Sequence, residues 1–139
     1  MDRGINTDEV AEPNTFAIQA AEAAFDEGEE WLEELREYLE LNREFLIGSL
    51  KELVPEVQVI EAEATYLAWI DCAAITDDTK ALCAFIREKT GLYLSAGDIF
   101  GGNGTQFDRW YYACPKALLE DGIQRFVEGV ALYQKDRCR

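Results

Sequence analysis

Arg109 is the side chain in this sequence best placed to do chemistry. It stands in Gln106-Phe107-Asp108-Arg109-Trp110-Tyr111-Tyr112-Ala113, an aromatic-rich run that suits an extended strand. Alternate side chains of a strand share a face, so Arg109 sides with Phe107 and Tyr111, while Asp108, Trp110 and Tyr112 point the other way. A guanidinium between rings is held in place and can offer its planar fork to a carboxylate. The same residues also read as a surface arginine paired with one of the chain's many acids.

Other chemistry has less to work with. The chain has no histidine, which removes the commonest general base and the commonest metal ligand. Cys72, Cys83, Cys114 and Cys138 are too widely and irregularly spaced for a zinc knuckle or a redox dithiol. The first three sit in apolar runs and read as buried thiols of a reducing, cytoplasmic setting. No metal site and no catalytic nucleophile is expected. The glycine-dense stretch Ser95-Ala96-Gly97-Asp98-Ile99-Phe100-Gly101-Gly102-Asn103-Gly104 lacks the lysine of a P-loop and the spacing of a dinucleotide fingerprint. Turns that demand positive φ explain its glycines without a ligand.

The charge balance, 28 acids against 13 bases for a net −15, disfavours nucleic acid and anionic membrane surfaces as partners. Most of it reads as solvated helix face. With 48% hydrophobic residues, the 139-residue chain can bury the core of one ordinary domain. Its start, Met1-Asp2-Arg3-Gly4, has no apolar run behind it, so no signal peptide is expected. No apolar stretch is long enough to span a bilayer.

The elements that must position Arg109 follow from periodicity. Residues 1–13 read as a polar lead-in ending at Pro13. Asn14 or Thr15 can cap an alanine-rich helix over 16–27, which Gly28 ends. A long amphipathic helix over 29–53 carries the stripe Trp31, Leu35, Tyr38, Leu39, Phe45, Leu46, Leu50 and Leu53, and Pro55 closes it. Strands are predicted over 57–62, 65–71, 92–94 and 106–113. A helix capped by Thr76 and Asp77 ends at Gly91. A final helix opened by Pro115 is expected to bury Leu118, Ile123, Phe126, Val127, Val130 and Tyr133. The order α-α-β-β-α-β-β-α predicts an α+β fold, a small mixed or antiparallel sheet covered by helices.

Several segments in register resemble the small domain of fold-type-I pyridoxal-phosphate (PLP) enzymes, and most of all the cystathionine β-lyase group called MalY/PatB. They are Ala64-Thr65-Tyr66-Leu67-Ala68-Trp69-Ile70-Asp71, Leu94-Ser95-Ala96-Gly97-Asp98-Ile99-Phe100-Gly101, Phe107-Asp108-Arg109 and Ala113-Cys114-Pro115. The likeness covers essentially residues 12–134. It departs at Ala64, where the group usually has glycine, and at Tyr111, where asparagine is frequent.

The resemblance implies the C-terminal domain of a PLP-dependent aminotransferase or carbon–sulfur β-lyase acting on amino acids. Residues 1–27 would be a lead-in and helix packed on a large domain, and residues 28–139 the small domain. Arg109 would grip the substrate α-carboxylate, with Tyr66, Ser95, Gly97, Phe100 and Gly101 lining the active-site mouth. PLP would belong to the parent enzyme, a homodimer in this family. The cofactor lysine would lie in the large domain, so this chain alone is expected to bind no PLP and to be inactive. A second reading, from a different class, is a non-catalytic acidic protein-interaction module that has kept the fold. What separates the two is the pairing of the Arg109 strand with the glycine loop, which an interaction module has no reason to keep. A third, an independent small-molecule-binding domain, has no motif of its own.

Overall fold

The computed structural model describes residues 14–137. The predicted lead-in and Cys138 therefore lie outside the described residues. Helix α1 spans Ala17–Glu27 and α2 spans Glu29–Leu53. Strands β1 (Gln58–Ile60) and β2 (Leu67–Asp71) follow, then α3 (Thr79–Thr90), β3 (Ser95–Ala96), β4 (Phe107–Tyr111) and α4 (Lys116–Arg137). The chain divides into two compact units inside α2, between Glu37 and Tyr38.

In the first unit, α1 buries none of its residues, and Phe25 is 90% exposed. An apolar groove formed by Ala23, Ala24, Phe25, Gly28, Trp31 and Leu32 lies on its surface. The helix's N-cap position falls on Phe16, which makes no side-chain capping bond, not on Asn14 or Thr15. Asn14 instead accepts the Phe16 N–H through its side chain at 3.0 Å, a local turn before the helix.

The second unit is an α+β layer. Its sheet is wholly antiparallel, in the order β1-β2-β4-β3, with β4 interior. Ala68, Ile70, Trp110 and Tyr112 project from one face into a core completed by Leu46 and Leu50 of α2, Leu82 and Ile86 of α3, and Leu119, Ile123 and Phe126 of α4. Alternation leaves Trp69, Phe107, Arg109 and Tyr111 on the other face.

Several predicted details shift. The third strand is Ser95–Ala96, not residues 92–94. Leu94 is core and Leu92 packs on it, so their alternation reports burial, whereas the ladder to β4 forms only where Ser95 meets Arg109 and Ala96 meets Asp108. The cap of α3 is Asp78, whose carboxylate accepts the Ala81 N–H at 3.1 Å, while Thr76 accepts the Asp78 N–H. Leu118, expected inside, is 61% exposed, and Leu119 is the core residue. The phase of α4 is set at a small residue: a side chain at Gly129 would press on Ile86. In α2 the stripe is buried only at Leu46 and Leu50, joined by a polar residue that hydrophobic periodicity passes over, Asn42. The positive φ of the turn before β2 falls on Thr65 (75°), not on Ala64, so alanine at 64 meets no left-handed strain.

Asn42 is 2% exposed and ties α2 to the end of β4, its amide donating to the carbonyls of Tyr112 (3.0 Å) and Cys114 (2.9 Å). Asn42→Ala would remove one hydrogen bond from each carbonyl, leaving Tyr112 the Cys114 N–H and Cys114 the Tyr38 hydroxyl. A typical intramolecular hydrogen bond contributes about 0.5–1.5 kcal/mol net. With two such bonds lost, urea unfolding should show a loss of about 1–3 kcal/mol, with the slope unchanged.

Candidate functional site

On the face of the sheet away from the core, Arg109 lies directly across the ladder from Trp69 on one side and Ser95 on the other. Its guanidinium carbon stands 4.8 Å from the centre of the Phe100 ring, and Nη2 donates to Ser95 Oγ at 3.4 Å. Among the described residues no carboxylate pairs with it, although acids outnumber bases about two to one across the chain. A guanidinium offers five donors in a rigid plane. Here one is used by a weak neutral acceptor, and the ring supports the cation without consuming a donor.

Ser95, Phe100 and Arg109 of the sequence-predicted site are thus in contact. Gly97 lies beneath Phe100's turn, buried where two backbone segments cross. A Cβ there would meet the Gly104 and Phe107 carbonyls and come within 2.8 Å of Trp69 Cη2. Gly101 carries the positive φ (78°) that lets the loop reverse. Tyr66 stands farther along, half-exposed, edge-on to Tyr111 with ring centres 5.2 Å apart. Trp69 is not among the sequence-predicted site residues. It stacks on Phe107 at 5.4 Å and meets Phe100 edge-on at 5.6 Å, and its place opposite Arg109 is a matter of register.

No cluster of three or more His, Cys, Asp or Glu among the described residues could hold a metal ion. The lysines, Lys51, Lys80, Lys89, Lys116 and Lys135, all stand exposed on helices, and Lys80, Lys89 and Lys116 pair with carboxylates. A lysine that attacks a carbonyl must be neutral, which desolvation or a neighbouring cation achieves, and none has that setting. No helix of the described residues is long and apolar enough to cross a membrane.

Behind Arg109, Asp108 points into the core and is 0% exposed. Its partners are thiols: Cys83 Sγ donates to Oδ1 at 2.8 Å and Cys72 Sγ to Oδ2 at 3.6 Å. Burial, then the neighbouring carboxylate, pushes both thiols far above their ordinary range, so they are inert donors. Cys114 is half-buried and its thiol is also raised by burial. Desolvation lifts Asp108 from an ordinary 3.8 to about 6, against the two thiol hydrogen bonds, which lower it. The folded-state value lies above the unfolded one. The contribution of this carboxyl to stability is therefore fully present below 3.8 and lost as pH rises through about 6. Relative to Asp108→Asn, whose amide does not titrate, the wild-type chain should lose roughly 2 kcal/mol of unfolding free energy between pH ~4 and ~7.5. Paired urea titrations check this, and parallel pH profiles for the two chains would refute it.

The sequence model of the family "Aminotransferase class I and II" matches residues 3–126. The cystathionine beta-lyase PatB of Bacillus subtilis is 34% identical over 112 residues, which is 81% of this chain and 29% of that protein. A PLP-bound protein of Clostridium difficile 630, described as an aminotransferase, superposes with a TM-score of 0.87 at 32% identity, over 93% of this chain and 33% of its own. The PLP-bound C–S lyase of Staphylococcus hominis gives 0.81 at 25% identity, over 93% and 34%. The chain thus spans about a third of the length of these relatives. A family match over most of the chain, on an antiparallel α+β layer shared with PLP-bound enzymes, makes this chain a member of the class I and II aminotransferase family.

Proposed function

We propose that this chain is the C-terminal, substrate-gripping domain of a PLP-dependent aminotransferase or carbon–sulfur β-lyase acting on amino acids, and that Arg109 binds the substrate α-carboxylate. The observation that carries the reading is an arginine fixed on an interior strand, beside Phe100 and Ser95, with no carboxylate among the described residues to neutralise it. A substrate carboxylate would take the donors left over in a bidentate pair. Ser95, Phe100, Gly97 and Gly101 shape the wall beside it, and Tyr66 with Tyr111 forms a further aromatic rim.

The lysines described here do not fit PLP, so the cofactor is assigned to a large domain that this chain would join. PLP supplies the electron sink for chemistry at the amino acid's α-carbon; this chain's part is to hold and orient the carboxylate. Residues 1–27 would form the passage onto that domain and 28–139 the small domain proper. The exposed Phe16, Ile18 and Phe25 are then surface for the large domain to cover. The family's homodimer and a cytoplasmic setting belong to the same reading. An acidic interaction module is not favoured, because it gives no reason for a braced, unneutralised arginine.

Grafted in place of the corresponding third of Bacillus subtilis PatB, the chain should support thiol release from cystathionine. Arg109→Lys keeps the charge and loses the fork. Hydrogen bonds to charged groups contribute about 1.5–3 kcal/mol, so kcat/KM should fall on the order of tenfold to a hundredfold with thermal stability unchanged. Full activity in the Arg109→Lys graft would falsify the assignment.

A further inference from the structure

We infer that Trp69 is a positioning residue for Arg109, acting through Phe100. The inference deepens the carboxylate-clamp reading and rests on it for its functional meaning. Trp69 lies directly opposite Arg109 in the β2–β4 ladder, where side chains on one face are near neighbours. Its ring lies nearly flat on Phe107, at 14°, and presents an edge contact to Phe100 at 74°. Phe100 in turn carries the guanidinium on its face.

The core does not account for this tryptophan. It is half-buried on the outer face and takes no part in the cluster that packs the helices on the sheet. The loop is built around it instead. A Cβ at Gly97 would meet the Gly104 and Phe107 carbonyls first and then come within 2.8 Å of Trp69 Cη2, so the glycine that lets the backbone cross also lets the loop lie against the indole. From there the turn Gly97–Phe100 delivers the Phe100 ring back over Trp69. Arg109 depends on that delivery, because its one hydrogen bond among the described residues, to Ser95 at 3.4 Å, is too long to fix a flexible side chain. Aromatic pairs of this geometry contribute beyond simple burial, and the cation's contact with Phe100 orients the fork.

The test uses this chain, labelled with 15N, with the Arg109 Nε–Hε resonance assigned by its loss in Arg109→Lys. In the wild type the group should be ordered, and its δ-methylene protons shifted upfield by the Phe100 ring. Trp69→Leu, Trp69→Met and Phe100→Leu should each abolish the order and the shift. Trp69→Phe, which restores a ring, should keep most of both. Core amides such as those of Leu46 and Phe126 should not move. Acetate, titrated against chloride at equal ionic strength, should perturb Arg109 in the wild type and bind about two- to fivefold more weakly to the ring-less variants. An ordered, shifted Arg109 in a folded Trp69→Leu or Trp69→Met chain overturns the inference. Failure of both to fold overturns it too, since Trp69 is then a residue of the fold. If acetate leaves wild-type Arg109 untouched while the variants still loosen it, the positioning role is supported and the clamp reading fails.

Discussion

The structure depends on one geometric constraint, that an interior strand must serve two faces with alternate residues. From Phe107 to Tyr112, β4 sends Asp108, Trp110 and Tyr112 one way and Phe107, Arg109 and Tyr111 the other. Neighbouring strands on both sides leave β4 little freedom to slip or twist. A slip of one residue would bury the guanidinium and expose the core aromatics. The same hydrogen bonds that stabilise the sheet therefore fix the position of Arg109, and α2 locks the strand's end through Asn42.

The loop that completes the site is governed by close approach more than by flexibility. Gly97 and Gly104 cross backbone to backbone, with no room for a Cβ at either. The turn Gly97–Phe100 can then fold back over Trp69, and Gly101 takes the conformation that sends the chain onward. A segment dense in glycine becomes a rigid support because its glycines are used for contact. Thr79 of α3 adds to this, its hydroxyl lying 3.0 Å from the Thr105 carbonyl and 2.9 Å from that of Phe107.

Asp108 shows the cost of that arrangement. Standing next to Arg109 in sequence, it points to the opposite side of the sheet, so the two charges do not pair. A carboxylate in the core has only two thiols for company, and burial rather than any charge partner sets its titration. Surface ion pairs elsewhere, such as Arg36–Glu33 and Arg125–Asp121, are exposed and contribute little to the fold. The core depends on packing by Leu46, Leu50, Ile86, Ile123 and Phe126.

The sequence by itself determined the class of the fold, the order of its elements and the face on which Arg109 stands. These follow from periodicity and strand alternation, which are local. It also determined the long helix Glu29–Leu53 to the residue and the glycine cap at Gly91, because capping and helix-breaking chemistry acts within a few residues. The motif likeness marked the loop residues that the fold brings to Arg109. Tertiary structure alone decided the rest. The pairing that sets Trp69 against Arg109 depends on register between strands almost forty residues apart, which no local pattern encodes. The burial of Asn42 and Asp108 depends on partners from other elements, since polarity makes each look like a surface residue until those partners are known. The phase of α4 turned on the glycine at 129, whose role is the space it leaves for Ile86. Local chemistry fixes which conformation a segment prefers, and only the assembled packing fixes which of its side chains meet.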